Sequence, residues 1–372
     1  MDGTRGKRIK LRENDCDKVG TLTEIVENIL LRFPVKSISE FNAVCKQWCK
    51  VIRTPSFTKK QLSLSKAEPA FILYPYVDDD TDVYLVSADG ILTEKVSLPR
   101  CEDLSFLSMI CSYNGLVCFT NCPWRPNPET TKVEIRICNP ATRKIHLLPE
   151  GSSSEEEPTV GVAFGPSDYK VFRIFHPKSD SEDTLPECEV YSPSTGVWRG
   201  IGSVPKCPMK SHNIFVVGKV YWFLPSEDDH TIAGSILSVD MEENFQVIEL
   251  PEEVTAHAFL VNLDAHLCLV AIYDDDLIMD IWLLKYKNET EYYWERICSD
   301  YIPYSTMENT DAAAGLKNEI FIITSEHYFL YDIGRRTWIE LDFVENFQRN
   351  CPVIFSYTES LLPCNGVMGP EI

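Results

Sequence analysis

Apolar side chains predict three short helices between residues 22 and 62. On the first helix they recur at the spacing of one helix face, at Leu22, Ile25, Val26, Ile29 and Leu30. Pro34 should end that helix, because its ring cannot continue the hydrogen-bond ladder. A second helix is expected from the capping-box spacing of Ser37 and Glu40, and a third over residues 45–52, before Thr54-Pro55 closes the unit. A unit of about forty residues is too small to bury all of this apolar surface. It is therefore expected either to pack on a neighbouring part of the chain or to dock a partner protein.

From residue 70 onward the pattern changes to short strands. Val133, Ile135 and Ile137 alternate with charged residues, which is the two-residue period of a half-buried strand. Clusters of turn residues separate such segments, as at 87–90, 139–140 and 192–196. No amphipathic helix of normal length interrupts them. This texture predicts an all-β domain of about 300 residues.

The β region also repeats. A strand, a turn and an apolar anchor recur six times, and the anchors are Leu92, Ile145, Trp198, Phe245, Trp294 and Trp338. The steps between anchors are 53, 53, 47, 49 and 44 residues. A period of this size predicts a six-bladed, kelch-like β-propeller, although a two-sheet or mixed β domain with evenly spaced hairpins remains the alternative. The strand near residues 352–357 is expected to pair with residues 70–74 and close the ring.

Charge is distributed unevenly along the chain of 372 residues, whose net charge is −21. Residues 1–21 carry +2, residues 22–62 carry +4, and the remainder carries −27. So acidic a body disfavours nucleic acid and favours a basic protein partner. No apolar run is long enough for a membrane span, and residues 1–20 read as a disordered basic tail without a secretory core. A cytoplasmic or nuclear location, or both, is expected, with the basic cluster at 5–12 as a weak import signal.

Motifs for catalysis and metal binding are absent from the sequence. There is no P-loop, no HExxH and no GxSxG, and the 14 cysteines include no CxxC pair. Asp78, Asp80 and Asp82 have the spacing of an EF-hand loop, but Val83 stands where that loop needs glycine. No metal or other cofactor is therefore expected. Clustered carboxylates such as residues 274–276 leave a propeller hydrolase or lyase as an alternative to a binding module.

Two segments of the helical unit resemble a known motif. Residues 29–38 read ILLRFPVKSI and residues 41–48 read FNAVCKQW, which resemble the plant form of the F-box. The chain departs from the usual pattern at Thr23, where the family has proline. The resemblance implies docking on a Skp-type adaptor, and through it on a cullin–RING assembly. It places the adaptor contacts at Leu22, Ile25, Ile29, Leu30, Pro34, Val35, Val44 and Trp48.

The β region resembles the F-box-associated domain of plant F-box proteins. The matching segments are SYNGLVC at 112–118, NPAT at 139–142, VGVAF at 160–164, DYKV at 168–171, VYW at 220–222 and YTESL at 357–361. The chain thus divides into a tail (1–20), an F-box (21–62) and a propeller-like domain that binds the substrate (63–372).

The resemblance implies a non-catalytic substrate receptor of a Skp–cullin–F-box ubiquitin ligase, which recruits a target for degradation. Target recognition is expected on acidic loops at one rim of the propeller, at Asp78, Asp80, Glu155, Glu156, Asp228, Asp229, Asp274 and Asp275. An F-box scaffold that works outside the ligase is a third reading, favoured by Thr23.

Overall fold

Four short helices precede a ring of β-strands. The structure, a computed structural model, describes residues 23–74, 82–98, 106–122, 133–165, 168–178, 184–209, 213–227, 232–254, 257–273, 276–288, 291–304, 309–342 and 352–366. The helices are α1 (residues 23–30), α2 (Val35–Phe41), α3 (Lys46–Ile52) and α4 (Pro55–Ser65). In the part of the chain that the structure describes, no helix has the length and apolar character that a membrane crossing requires.

The helix ends follow local chemistry, with two departures from the sequence prediction. The second helix begins at Val35 with Pro34 as its N-cap, so the predicted capping box at Ser37 does not start it. Pro55 opens a fourth helix instead of closing the unit, because Thr54 Oγ1 accepts the Phe57 N–H at 3.2 Å and proline suits a first helical position. The connection to the first strand is consequently only residues 66–69.

The strands form six sheets of four. Blade by blade they are β1 (Ala70–Tyr74), β2 (Asp82–Ser87) and β3 (Leu92–Ser97) with β24 (Val353–Tyr357); β4 (Phe106–Tyr113), β5 (Leu116–Cys122), β6 (Ile135–Asn139) and β7 (Lys144–Leu147); β8 (Thr159–Phe164), β9 (Tyr169–Phe175), β10 (Glu187–Ser192) and β11 (Val197–Ser203); β12 (Ile214–Val216), β13 (Lys219–Pro225), β14 (Ala233–Asp240) and β15 (Phe245–Glu249); β16 (His257–Leu263), β17 (His266–Tyr273), β18 (Ile278–Tyr286) and β19 (Tyr292–Tyr301); β20 (Thr310–Leu316), β21 (Glu319–Thr324), β22 (Tyr328–Asp332) and β23 (Thr337–Glu340).

The ring closes by exchange between the two ends of the chain. The last strand, β24, pairs antiparallel with β1, from Ala70 opposite Tyr357 to Tyr74 opposite Val353. It supplies the innermost strand of blade 1, so the order in that sheet is β24-β1-β2-β3. The six-bladed propeller and the predicted closing pair are both confirmed.

The repeat anchors all lie on the outermost strands of the six blades, from Leu92 on β3 to Trp338 on β23. Two of the tryptophans reach the preceding blade. Trp198 donates its indole N–H to Pro149 O at 2.8 Å, and Trp294 donates to Glu249 O at 2.8 Å. In blades 3 and 5 the anchor of the sequence period is therefore also a side chain that joins the blade to the one before it.

The two rims of the ring differ in their connections. Within a four-stranded meander, the first-to-second and third-to-fourth turns emerge at one edge, which we call the near rim. The second-to-third turns and the links to the next blade emerge at the other edge, the far rim. Near-rim turns are tight and often left-handed, as at Asn114-Gly115, where φ is 48° and 81°. The helical unit lies against the near rim, where Lys317 Nζ donates to Ala67 O at 3.1 Å.

Candidate functional site

The helical unit has a small core of its own. Leu30, Ile38, Val51, Ile52 and Phe57 are buried together, and Val26, Leu31, Phe41 and Trp48 pack around them. Leu30, which the sequence predicts to contact an adaptor, is therefore part of this core. Val35 is also buried. These two support the surface from inside, whereas Leu22 lies outside the described residues.

An apolar face remains uncovered on this unit. Ile25 is 54% exposed, Ile29 45% and Val44 60%, Pro34 is exposed, and Trp48 is half-buried. The prediction omitted Phe33, which is also exposed. Its ring lies 5.1 Å from that of Phe41, which lies 5.3 Å from that of Trp48, so an aromatic row links the α1–α2 connection to α2 and α3. Its position directly before Pro34, the N-cap of α2, could have drawn attention to Phe33.

A small cleft marks the junction between the helical unit and the propeller. It is lined by Lys36, Glu94, Arg143 and Glu359, with apolar side chains between them. Burial and the nearby Glu94 raise the pKa of Glu359, although the Val35 N–H and Lys36 favour its charged form. Two carboxylates therefore meet here, but no histidine lines the cleft. No cluster of metal-ligating side chains occurs among the residues that the structure describes.

Two of the predicted target-binding residues are described, and both are exposed at the far rim. Glu155 and Glu156 lie in the connection from β7 to β8. The others lie outside the described residues and are Asp78, Asp80, Asp228, Asp229, Asp274 and Asp275. In chain order they fall between β1 and β2, β13 and β14, and β17 and β18.

A buried ion pair anchors the β7–β8 connection. Arg173 Nη1 lies 2.6 Å from Glu189 Oε1, and both side chains are almost fully buried. Glu189 also accepts hydrogen bonds from the Ser152 N–H at 3.0 Å and the Ser152 hydroxyl at 2.7 Å. Burial lowers the pKa of Arg173, and the Glu189 carboxylate opposes that shift. The exposed glutamates thus project from a loop that a fully bonded carboxylate holds in place.

Charge separates the two rims. Among described residues, the far-rim connections hold eleven Asp or Glu and two Lys or Arg, whereas the near-rim connections hold six and five. Among the described connections, acidic residues are therefore concentrated on the side away from the helical unit. A ring with one acidic and one balanced face can orient a charged partner as it approaches.

Comparison with known proteins decides the family. The model of the F-box associated beta propeller domain matches residues 79–364, which is most of the chain. The chain belongs to the F-box-associated β-propeller family. The interpretation of the sequence as a plant F-box protein with an associated C-terminal propeller is confirmed.

Three relatives from Arabidopsis thaliana are named as F-box proteins, and two of them match this chain over nearly its whole length. F-box protein CPR1 is 26% identical over 299 residues, covering 71% of this chain and 69% of that protein. F-box protein At5g49610 is 25% identical over 374 residues, covering 92% and 97%. F-box/kelch-repeat protein At2g43445 is 23% identical over 369 residues, covering 95% and 85%.

Proposed function

We propose that this chain is a substrate-receptor subunit of a Skp–cullin–F-box ubiquitin ligase. The observation that carries the proposal is the uncovered apolar face of the helical unit, formed by Ile25, Ile29, Phe33, Pro34 and Val44. Apolar patches of this kind, set on a folded unit, mark protein docking sites. The F-box names of the relatives support a Skp-type adaptor as the occupant, and through it a cullin–RING assembly.

The role of the chain in this proposal is positional and not catalytic. The helical unit binds the adaptor at the near rim, and the far rim holds a target protein. Transfer of ubiquitin then depends on the effective concentration of target lysines near the charged enzyme. The cytoplasm or the nucleus is where such a receptor would act.

Adaptor binding tests the proposal directly. We expect the full chain to form a stable complex with a purified Skp-type adaptor. Val44→Glu should weaken the complex at least tenfold, because it places a charge in an apolar interface. The matched control is Leu147→Glu, on the exposed outer strand of blade 2, which should bind normally. Failure of the wild-type chain to bind would refute the proposal and favour a scaffold outside the ligase.

For the target, we propose a basic protein surface. The far rim has the charge to steer such a partner, with Glu155 and Glu156 exposed on an anchored loop. A lysine-rich peptide should bind the full chain at low salt and dissociate as salt rises, and Glu155→Gln with Glu156→Gln should weaken it. A glutamate-rich peptide of equal length is the control. Equal binding of the two peptides would refute the electrostatic preference.

A further inference from the structure

The chain continues past the closing strand as an ordered segment along the near rim. We call residues 358–366 the C-terminal strap. Asn139, at the end of β6, donates its side-chain amide to Ser360 O and to Leu362 O, each at 2.9 Å. The side-chain oxygen of Asn139, Oδ1, accepts a hydrogen bond from the Thr142 N–H at 3.1 Å. One buried asparagine therefore clamps both the strap and its own turn.

Blades 2 and 3 contribute further contacts to the strap. Gly115 has φ of 81°, and a Cβ there would lie 2.5 Å from Ser360 Oγ and 2.7 Å from Ser360 N. Only glycine fits this approach. In blade 3, the Tyr169 hydroxyl donates to Cys364 O at 2.7 Å. The segments SYNGLVC, NPAT, DYKV and YTESL, which carry much of the family resemblance, thus meet at one structure.

The strap also touches the helical unit. Leu361 packs against the buried helical core that contains Leu30 and Phe57. Two residues earlier, Glu359 lines the junction cleft together with Lys36 of α2, and the backbone N–H of Val35, the first residue of that helix, opposes the raised pKa of its carboxyl group. The N-cap of that helix is Pro34, which has no side-chain acceptor. Glu359 therefore places a carboxyl group beside a helix N-terminus that has no side-chain cap of its own.

Other contacts across the junction are exposed. The Lys36 ammonium lies 2.6 Å from Glu94, and Lys66 lies 5.8 Å from the ring of Tyr113. Exposed ion pairs of this kind contribute up to about 1 kcal/mol. The strap, in contrast, packs a leucine against the helical core and brings a carboxyl group beside the start of α2. It is the part of the junction best suited to fix an angle.

We propose that the C-terminal strap is a positioning element that holds the F-box unit at one orientation on the propeller, with Glu359 and Leu361 as its positioning residues. The inference rests on the proposed function, because a fixed orientation matters there by fixing the distance between adaptor and target. Covalent linkage through residues 66–69 alone would leave relative motion of the two units as the default. The strap makes a second connection from the opposite end of the chain.

Spin labels can measure this orientation without any adaptor. Labels on non-natural amino acids at positions 59 and 335, both exposed, report the distance between α4 and the near rim of blade 6. The wild-type chain should give one narrow distribution. Leu361→Ala and Glu359→Ala should broaden it at least twofold. Glu359→Gln, which keeps an acceptor, and Leu361→Met, which keeps the apolar volume, should restore the narrow distribution.

Hydrogen exchange in the same variants separates positioning from general damage. Amides of α2 should exchange about tenfold faster in Leu361→Ala, while those of β10 keep their protection. Ile339→Ala, on the exposed outer strand of blade 6, is the control. Unchanged distance widths, or a rise in exchange shared by α2 and β10, would overturn the inference. Neither measurement involves the adaptor. The positioning role can therefore fail while adaptor binding is observed, and adaptor binding can fail while the positioning role is observed.

Discussion

Ile29 and Leu30 are neighbours in α1, yet the structure gives them opposite roles. Ile29 is 45% exposed on the apolar face, whereas Leu30 is fully buried in the helical core. Truncation to alanine should therefore affect two different quantities. Ile29→Ala should weaken adaptor binding and leave stability unchanged. Leu30→Ala should lower the free energy of unfolding of the helical unit, and should reduce binding only through that loss.

The magnitudes follow from burial. The exposed part of Ile29 is on the order of 80 Å², worth about 2 kcal/mol when a partner covers it. Removing most of that area should weaken binding by about tenfold to thirtyfold. Leu30→Ala removes buried methyl groups and leaves a cavity, which costs about 2–5 kcal/mol of folding free energy. A unit with so small a core has little stability to lose.

Two measurements on each full-length variant check the reasoning. Calorimetric titration with a Skp-type adaptor gives the dissociation constant, and hydrogen exchange in α1 and α3 gives local stability. Leu147→Ala, exposed on β7, should change neither. The reasoning is refuted if Leu30→Ala weakens binding with unchanged exchange, or if Ile29→Ala accelerates exchange with unchanged affinity.

Three further predictions concern the propeller and the junction. Gly161→Ala should destabilise the fold by about 1–3 kcal/mol in urea unfolding, because the new Cβ would lie 2.2 Å from the buried ring of Trp222. Arg173→Met should cost about 3–5 kcal/mol by leaving Glu189 buried and unpaired. Burial raises the pKa of Glu359, so the folded state holds that proton more tightly than the unfolded chain. The free energy of unfolding should therefore fall as pH rises from the ordinary glutamate pKa to the raised one.

Each of these has a matched control. Gly200→Ala meets nothing within 4 Å and should be neutral. Arg199→Ala removes a salt bridge to Glu243. Because the Arg199 side chain is 60% exposed, this change should lower the free energy of unfolding by less than about 1 kcal/mol. Glu359→Gln should flatten the described part of the pH profile. If Gly200→Ala or Arg199→Ala lowered the free energy of unfolding as much as the variant it controls, the packing or ion-pair argument would be contradicted. If Glu359→Gln left the pH profile unchanged, the argument from the raised pKa would be contradicted.

Periodicity was the strongest guide to the fold. The anchors repeat because each blade places one large side chain on its outermost strand, and Trp198 and Trp294 then bond to the preceding blade. The closing pair of β1 and β24 was predictable because a ring of blades must join its ends. Helix α4 was missed because Thr54-Pro55 can either end or begin a helix, and only the capping bond to Phe57 decides.

The candidate site was less predictable. Apolar residues occupy two sides of α1, and no pattern tells the side that packs inward at Leu30 from the side left uncovered at Ile29. The contact between Glu359 and Val35 joins opposite ends of the chain, and long-range pairing of this kind has no local signal. The sequence predicted acidic loops at one rim, and the blade order decides which rim holds the two that the structure describes, Glu155 and Glu156. Its role in target binding stays a prediction.

The strap also sets the order of events during synthesis. The helical unit leaves the ribosome well before Leu361, which packs on its core, and before β24, which closes the ring. Roughly 300 residues separate them, or about 15–60 s of translation. Until then the nascent chain carries the uncovered apolar face on a helical unit that lacks the strap contacts, beside an open ring. A chain that stops before the strap thus lacks these contacts and the closing strand, even though its helical unit is complete.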